Sequence, residues 1–147
     1  MLLPLLIASA ASAQVRVETT KPAPGNARVT KASSYDAMVT LSIENADGTT
    51  TPSGWSTRAE HGGDGRPFSF QPGRNLIQGW TDGVLQMREA ERALIHVPYA
   101  LGYGESPQGS KGGGWYIPAR SNLLFDIEIL GKTGASGPAP APAGELR

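Results

Sequence analysis

Three segments of this sequence alternate apolar and polar residues with a period of two, and this alternation limits the possible folds more than any other feature. The apolar sets that share one face are Val39, Leu41 and Ile43; Ala93, Ile95 and Val97; and Leu123, Phe125, Ile127 and Ile129. A period of two is typical of half-buried antiparallel strands, because successive side chains point to opposite faces of a sheet.

A helical period occurs in the third quarter of the chain. Its apolar positions, spaced three or four residues apart, are Ile77, Trp80, Val84 and either Met87 or Arg88. This spacing places apolar side chains on one face of a short amphipathic helix. Together with the strands, it predicts an α+β fold in which an antiparallel β-sheet wraps around one short α-helix. A chain of 147 residues suits a single domain of this kind.

The aromatic residues are concentrated in the second half of the chain. Eight of the ten lie between Pro67 and Leu130. This stretch predicts an aromatic strand at Phe68 and Phe70, a Pro-Gly turn, a helix that opens at Trp80, a strand, a glycine-rich loop and a final strand. Such a concentration favours one compact apolar pocket over an evenly distributed core.

The charge and cysteine content exclude several classes of function. Thirteen basic and thirteen acidic residues give a net charge of zero, and no run of Lys or Arg forms a basic stripe. A nucleic-acid or anionic-membrane role therefore lacks its electrostatic basis. The absence of cysteine excludes disulfides, thiolate catalysis and cysteine-ligated zinc. We expect the partner to be a neutral surface or a peptide.

Two motif-like strings do not meet the requirements of the sites that they suggest. The run from Gly104 to Lys111 has the glycines and lysine of a phosphate-binding loop, but Ser110 precedes the lysine instead of following it. His61 and Asp64 offer two metal ligands without a third at a suitable spacing. The sequence therefore predicts no nucleotide, no metal and no other cofactor.

The remaining titratable residues do not form a catalytic motif. His96 lies in a predicted strand beside apolar neighbours, so we interpret it as a strand-face residue rather than a general base. Asp82, Glu89 and Glu91 fall on or just after the predicted helix, where helical charge and solvation account for them. Without cysteine or a G-x-S-x-G string, a nucleophilic triad has little support.

Four strings occur in the order in which one enzyme family carries them: QGWTDGVLQM, RALIHVPYALGYGE, IPA and LLFDIEIL. In these strings the chain resembles the FKBP-type peptidyl-prolyl cis-trans isomerases, over roughly the last two-thirds of its folded part. The resemblance implies an FKBP-like fold and rotation of X-Pro bonds in polypeptide substrates. It points to a bacterial, exported member that assists the folding of exported proteins.

The resemblance also implies a set of site residues. Trp80 would form the pocket floor, Phe125 a wall, and Tyr103 a rim hydroxyl that donates to a substrate carbonyl; these three are the implied catalytic residues. The backbone N–H of Ile77 is a second implied donor. The implied substrate-binding residues are Phe68, Leu76, Ile77, Tyr116, Ile117 and Trp55. Phe70 and Leu123 are interpreted as ordinary core residues.

The sequence departs from the family pattern at two pocket positions. Leu41 stands where members usually have a tyrosine, and Trp55-Ser56 matches the usual Phe-Asp, so the aspartate is missing. An alternative function therefore stays open, namely an FKBP-like peptide-binding or chaperone module with weak or no isomerase activity. The same departures put binding of macrolide inhibitors in more doubt than catalysis.

Residues 1–13 combine an apolar run with Ala-Ser-Ala, the small-x-small pattern of a signal peptidase site. We interpret them as an export signal, too short to span a bilayer; the alternative is a first core strand. The expected location is periplasmic or secreted. We expect a monomer without stable membrane insertion.

The rest of the chain divides into three predicted regions. Residues 14–34 form a polar N-terminal extension, in which Val15 and Val17 alternate and leave an edge strand open. Residues 35–132 form the isomerase domain. Residues 133–147 are rich in Pro and Ala and are predicted to be a disordered tail, because they lack an apolar face to bury.

Overall fold

The computed structural model describes residues 14–133. The predicted export signal and the tail beyond Thr133 lie outside these residues. In chain order the elements are β1 (Arg16–Lys21), β2 (Tyr35–Glu44), β3 (Thr50–Ser56), a 3₁₀ turn (Ala59–His61), β4 (Phe68–Phe70), α1 (Gln78–Val84), β5 (Arg92–Val97), a 3₁₀ turn (Tyr99–Leu101), β6 (Gln108–Gly109), β7 (Tyr116–Ile117) and β8 (Asn122–Lys132).

The strands form an antiparallel sheet in the order β1-β5-β8-β2-β3, and β4 also pairs with β2. At its centre Phe125 of β8 lies between Leu41 of β2 and Ile95 of β5. The predicted apolar sets of the three alternating strands are buried on the inner face, except that Ile43 is half-buried. The α+β prediction is confirmed.

The edge strand that the sequence left open is present. Val17 of β1 pairs with Ile95 of β5, and the strand continues to Lys21 with one irregularity after Thr19. Val15, just before the strand, and Val17 within it are both half-buried. All the remaining residues of β1 are exposed. A polar edge strand of this kind buries few apolar atoms, which is why composition alone did not decide its conformation.

The helix α1 starts at Gln78, two residues before the predicted opening at Trp80. Two glycines allow it to lie directly on the sheet. A Cβ atom at Gly83 would be 2.5 Å from Cγ2 of Ile95, and one at Gly79 would overlap Val97. Because any larger residue would push the helix away from β5, these glycines determine how deeply Trp80 enters the core.

Two other features differ from the sequence-based interpretation. Glu91 is not solvated: it is 6% exposed and accepts hydrogen bonds from the Thr19 hydroxyl at 2.6 Å and the Arg88 N–H at 2.8 Å. These hydrogen bonds satisfy the buried carboxylate of Glu91, and they connect β1 to the turn after α1. The predicted glycine-rich loop also contains a small hairpin, in which β6 pairs with β7.

Candidate functional site

Trp80 is surrounded by three aromatic rings on the inner face of the sheet. Ring centroids of Phe68, Phe70 and Phe125 lie 5.4, 5.3 and 5.2 Å from that of the indole, with interplanar angles of 70°, 83° and 83°. Edge-to-face contacts of this kind match the positive ring edge to the negative ring face. The cluster is therefore both densely packed and dry, with Trp80 0% exposed.

Separate elements supply each ring. Trp80 is the third residue of α1, Phe68 and Phe70 alternate inward on the short strand β4, and Phe125 lies at the middle of β8. Trp55 extends the cluster from β3, with its ring edge-on to Phe68 at 5.9 Å. Phe70 packs on Trp80 as closely as Phe68 does, which agrees with its assignment to the core.

Two buried donors in this region have no hydrogen-bond partner among the described residues: the Trp80 indole Nε1 and the Tyr103 hydroxyl. Leaving a buried donor unpaired costs about 1–3 kcal/mol, so native structures rarely do it without a functional reason. Burial also raises the pKa of Tyr103 to about 12. Its hydroxyl therefore keeps its proton at neutral pH and can donate to a carbonyl.

The remaining predicted site residues border the cluster. Leu76, Ile77 and Tyr103 are partly buried and pack against it, and Ile117 of β7 is fully inside it. Ile77 is the N-cap of α1, so its N–H has no acceptor within the helix. Tyr116 is half-buried on the hairpin, with Nζ of Lys111 6.0 Å from its ring centroid.

The two positions that depart from the family pattern add no polar group to the cluster. Leu41 is buried on β2 opposite Phe125. The Ser56 hydroxyl lies 2.7 Å from that of Thr40, a residue of the outer sheet face, and donates to the Val39 carbonyl at 3.1 Å. The inner face here is consequently apolar apart from Trp80 and Tyr103.

A pocket of about 290 Å³ adjoins the aromatic cluster. Phe68 and Leu76, two predicted site residues, form part of its wall. Its other lining residues are mostly polar: Ser34, Ser69, Phe70, Gln71, Arg74, Asn75 and Thr133. Sequence analysis missed this pocket because four separate segments contribute to it; the polar Gln71 to Asn75 turn beside Leu76 was the one available signal.

The titratable groups weighed in the sequence lie away from the cluster. His96 is on the outer sheet face, with Nδ1 2.9 Å from the Glu44 carboxylate and Nε2 3.2 Å from that of Glu18. Within residues 14–133, no group of three or more His, Cys, Asp or Glu residues is arranged to hold a metal ion. Over the same range, no helix is both long and apolar enough to cross a membrane.

An antiparallel sheet around one short helix, with a tryptophan of that helix ringed by aromatic side chains, defines a class of small α+β folds. The sequence matches the family model described as FKBP-type peptidyl-prolyl cis-trans isomerase over residues 25–130. The chain therefore belongs to this family.

Individual relatives agree with this assignment. FK506-binding protein 2 of Dictyostelium discoideum is 41% identical over 68 residues, which cover 46% of this chain and 47% of the relative. Peptidyl-prolyl cis-trans isomerase FKBP13, chloroplastic, of Arabidopsis thaliana is 39% identical over 75 residues, covering 46% and 36%. The chain thus spans less than half the length of these curated relatives.

Solved structures share the fold. The crystal structure of AtFKBP13 matches with a TM-score of 0.64 at 28% identity, covering 81% of this chain and 93% of that one. FkpA from Escherichia coli matches with a TM-score of 0.59 at 23% identity, covering 87% and 49%, which supports the fold alone.

Proposed function

We propose that this protein catalyses cis-trans rotation of X-Pro bonds in polypeptides. The rotation crosses a barrier of about 20 kcal/mol, because amide resonance is lost as the C–N bond twists. The twisted amide is less polar than the planar one and needs less hydration of its carbonyl. A dry pocket with a suitably placed donor therefore stabilises the transition state more than the ground state. No acid, base, metal or cofactor is required.

The observation that carries this proposal is the pair of unpartnered donors, Tyr103 and Trp80, at a dry aromatic cluster. We assign the indole of Trp80 as the floor for the proline ring, and Phe68 and Phe125 as walls. Tyr103 donates to the carbonyl of the residue before proline as that carbonyl leaves water. Its raised pKa supports this role, because only the protonated hydroxyl can donate.

The bordering residues bind the rest of the substrate. Leu76 and Ile77 contact the chain beside the proline, and the Ile77 N–H donates to a second substrate carbonyl. Tyr116 and Ile117 of the hairpin cover the bound proline, and Trp55 closes the cluster behind Phe68. Because Trp80 is 0% exposed, substrate must displace the groups over the indole before the ring can rest on it.

We further propose that the protein is an exported bacterial member that acts on exported polypeptides as a monomer in the periplasm or outside the cell. The apolar run and Ala-Ser-Ala at residues 2–13 support this location. N-terminal sequencing of the protein from an exported fraction should give Gln14. An intact Met1 on protein from the cytoplasmic fraction would refute the export proposal.

A protease-coupled assay of X-Pro isomerisation with purified protein tests the activity directly. We expect first-order acceleration proportional to enzyme concentration. The peptide-binding or chaperone alternative is favoured by Leu41 and Ser56, which stand where the family has polar pocket groups. It predicts that Pro-containing peptides bind while the isomerisation rate stays at the uncatalysed value. FK506-type macrolides should bind weakly, because Leu41 and Ser56 replace the polar pocket groups of the family.

A further inference from the structure

One exposed cation lines the pocket beside the aromatic cluster, and two more belong to segments that adjoin it. Arg74 lines it directly. Lys31 is held nearby, since the Gln71 amide donates to its carbonyl at 2.9 Å and its side chain passes within 3.9 Å of where a Cβ atom of Gly73 would lie. Lys132 directly precedes Thr133, a lining residue.

Among residues 14–133, none of Arg74, Lys31 and Lys132 lies within ion-pair distance of a carboxylate. Elsewhere some basic side chains are paired, as Arg120 is with Glu105 at 2.8 Å, whereas others among the described residues, such as Arg66 and Arg88, have no carboxylate within that distance. Unpaired cations near a concavity create a positive potential inside it.

One carboxylate lies beneath this pocket. Asp36 accepts hydrogen bonds at Oδ1 from the Ser69 hydroxyl at 2.7 Å and the Thr133 hydroxyl at 2.8 Å. It is 2% exposed, so it offsets part of the positive charge without presenting itself to a ligand. The hydroxyls that it orients are themselves part of the pocket lining. Both hydroxyls donate their protons to Asp36, so the charge that the accessible surface presents to a ligand is that of the cations.

The pocket also lies on a defined side of Trp80. Its lining comes from β4, the segment that precedes α1, and the residues next to the ends of β2 and β8; no part of the Tyr103 segment contributes to it. In the proposed reaction, Tyr103 contacts the carbonyl of the residue before proline. The chain after proline then passes Leu76 and Phe68 toward the pocket.

We propose that this pocket selects substrates with an acidic side chain directly after the proline. Arg74 would bind the carboxylate directly, and Lys31 and Lys132 would add to the positive potential around it. This inference rests on the proposed function, because it extends the same binding site to a specificity for the flanking sequence.

The test compares tetrapeptides with Glu, Ala or Lys directly after proline, and a second series with the same residues before it. At low ionic strength we expect kcat/KM for Glu after proline to exceed that for Ala by about threefold, and for Lys to fall below Ala. Salt at about 0.5 M should remove most of the difference by screening. Equal kcat/KM for all three, or a preference confined to the position before proline, would overturn the proposal; the latter would point to Lys111 instead.

Arg74→Glu is the variant that tests the proposal most directly. Arg88→Glu is its control, because it makes the same charge change at an exposed arginine beyond the C-terminal end of α1. We expect the Glu-over-Lys preference to fall about fivefold in Arg74→Glu and to stay within twofold of wild type in Arg88→Glu. Equal effects of the two variants would show that only net charge matters.

If no peptide is isomerised above the uncatalysed rate, the proposed function fails. The selectivity is then measured as affinity of the same peptides by fluorescence titration of wild type and Arg74→Glu. A threefold tighter binding of the Glu peptide that Arg74→Glu abolishes would support the acidic preference on its own. Equal affinities would refute it.

Discussion

The two faces of the same sheet use polar groups in opposite ways. On the outer face of β5 and β8, Nε and Nη2 of Arg92 each donate to the Asp126 carboxylate at 2.9 Å. Arg58 donates to Glu128 at 2.7 Å, which holds the pKa of that carboxyl below its usual value. Each of these carboxylates is paired with an arginine, although the buried Nε of Arg58 has no partner among residues 14–133.

The inner face contains few polar atoms, yet two of them, the Trp80 indole N–H and the Tyr103 hydroxyl, have no partner within residues 14–133. A face built only for stability would pair or remove such groups, because an unpaired buried donor is costly. The contrast indicates that the outer face stabilises the sheet, whereas the inner face gives up some stability to keep donors available for a substrate.

Phe125→Ala should produce the largest effect, because Phe125 is fully buried and packs against both Trp80 and the neighbouring strands. Removing a buried aromatic side chain costs about 3–5 kcal/mol of unfolding free energy. Urea denaturation measures this loss, and isomerisation should fall with it. A loss below about 1 kcal/mol would mean that Phe125 is not a core residue.

Trp80→Leu tests the role of Trp80 as the pocket floor, although the same substitution also disturbs the core. Leucine keeps an apolar side chain in contact with Phe68 and Phe70 but lacks the flat indole surface, so we expect a folded protein that is about 2–3 kcal/mol less stable. Its kcat/KM should fall about tenfold or more, at a temperature where it remains folded. Wild-type turnover in this variant would contradict the floor assignment.

Tyr103→Phe should separate function from stability. Its hydroxyl has no partner in the structure, so removing it should leave stability unchanged or slightly raised. The transition state should lose about 0.5–1.5 kcal/mol, seen as a reduced kcat/KM.

Tyr35→Phe is the matched control for that substitution. The Tyr35 hydroxyl accepts a hydrogen bond from the Thr30 N–H at 2.9 Å, so it is engaged where that of Tyr103 is not. Tyr35→Phe should lower stability by about 1 kcal/mol and leave kcat/KM unchanged. If both variants change stability alone, Tyr103 has no catalytic role.

Glu128→Gln tests the outer face and should have the smallest effect. Because the folded-state pKa of Glu128 lies below the usual 4.5, its ionised form stabilises the fold above that pH, and this contribution is lost as the pH falls through the lowered pKa. We expect a loss of about 0.5–1 kcal/mol at pH 7 that shrinks as the pH falls through that lowered pKa, with activity unchanged. Glu60→Gln, at an exposed partner 3.9 Å from the same arginine, should change little over the same pH range.

Prediction from sequence succeeded where the signal was local. The inward sets of β2, β5 and β8 follow directly from alternation. Element ends were less accurate: β2 begins at Tyr35, four residues before Val39, the first residue of its predicted apolar set. Residues Tyr35 to Ala37 are all buried, although successive residues of a strand point to opposite faces. They therefore show no alternation by which the sequence could have revealed them.

The roles of the site residues remain predictions, although the structure brings most of them together. Sequence order could not show that Phe70 touches Trp80 as closely as Phe68 does, nor that Glu91 is buried. Each depends on where a second segment lies in space. The hairpin of β6 and β7 was missed for a related reason, since two-residue strands carry no periodicity.

The sequence by itself determined the period of each element and the concentration of aromatic residues, because both are properties of neighbouring positions along the chain. Tertiary structure alone decided which rings surround Trp80, which donors stay unpaired, and that Arg74 and Thr133 line one pocket. These outcomes depend on strand register and on the depth of the helix, which are set by packing among residues far apart in the chain.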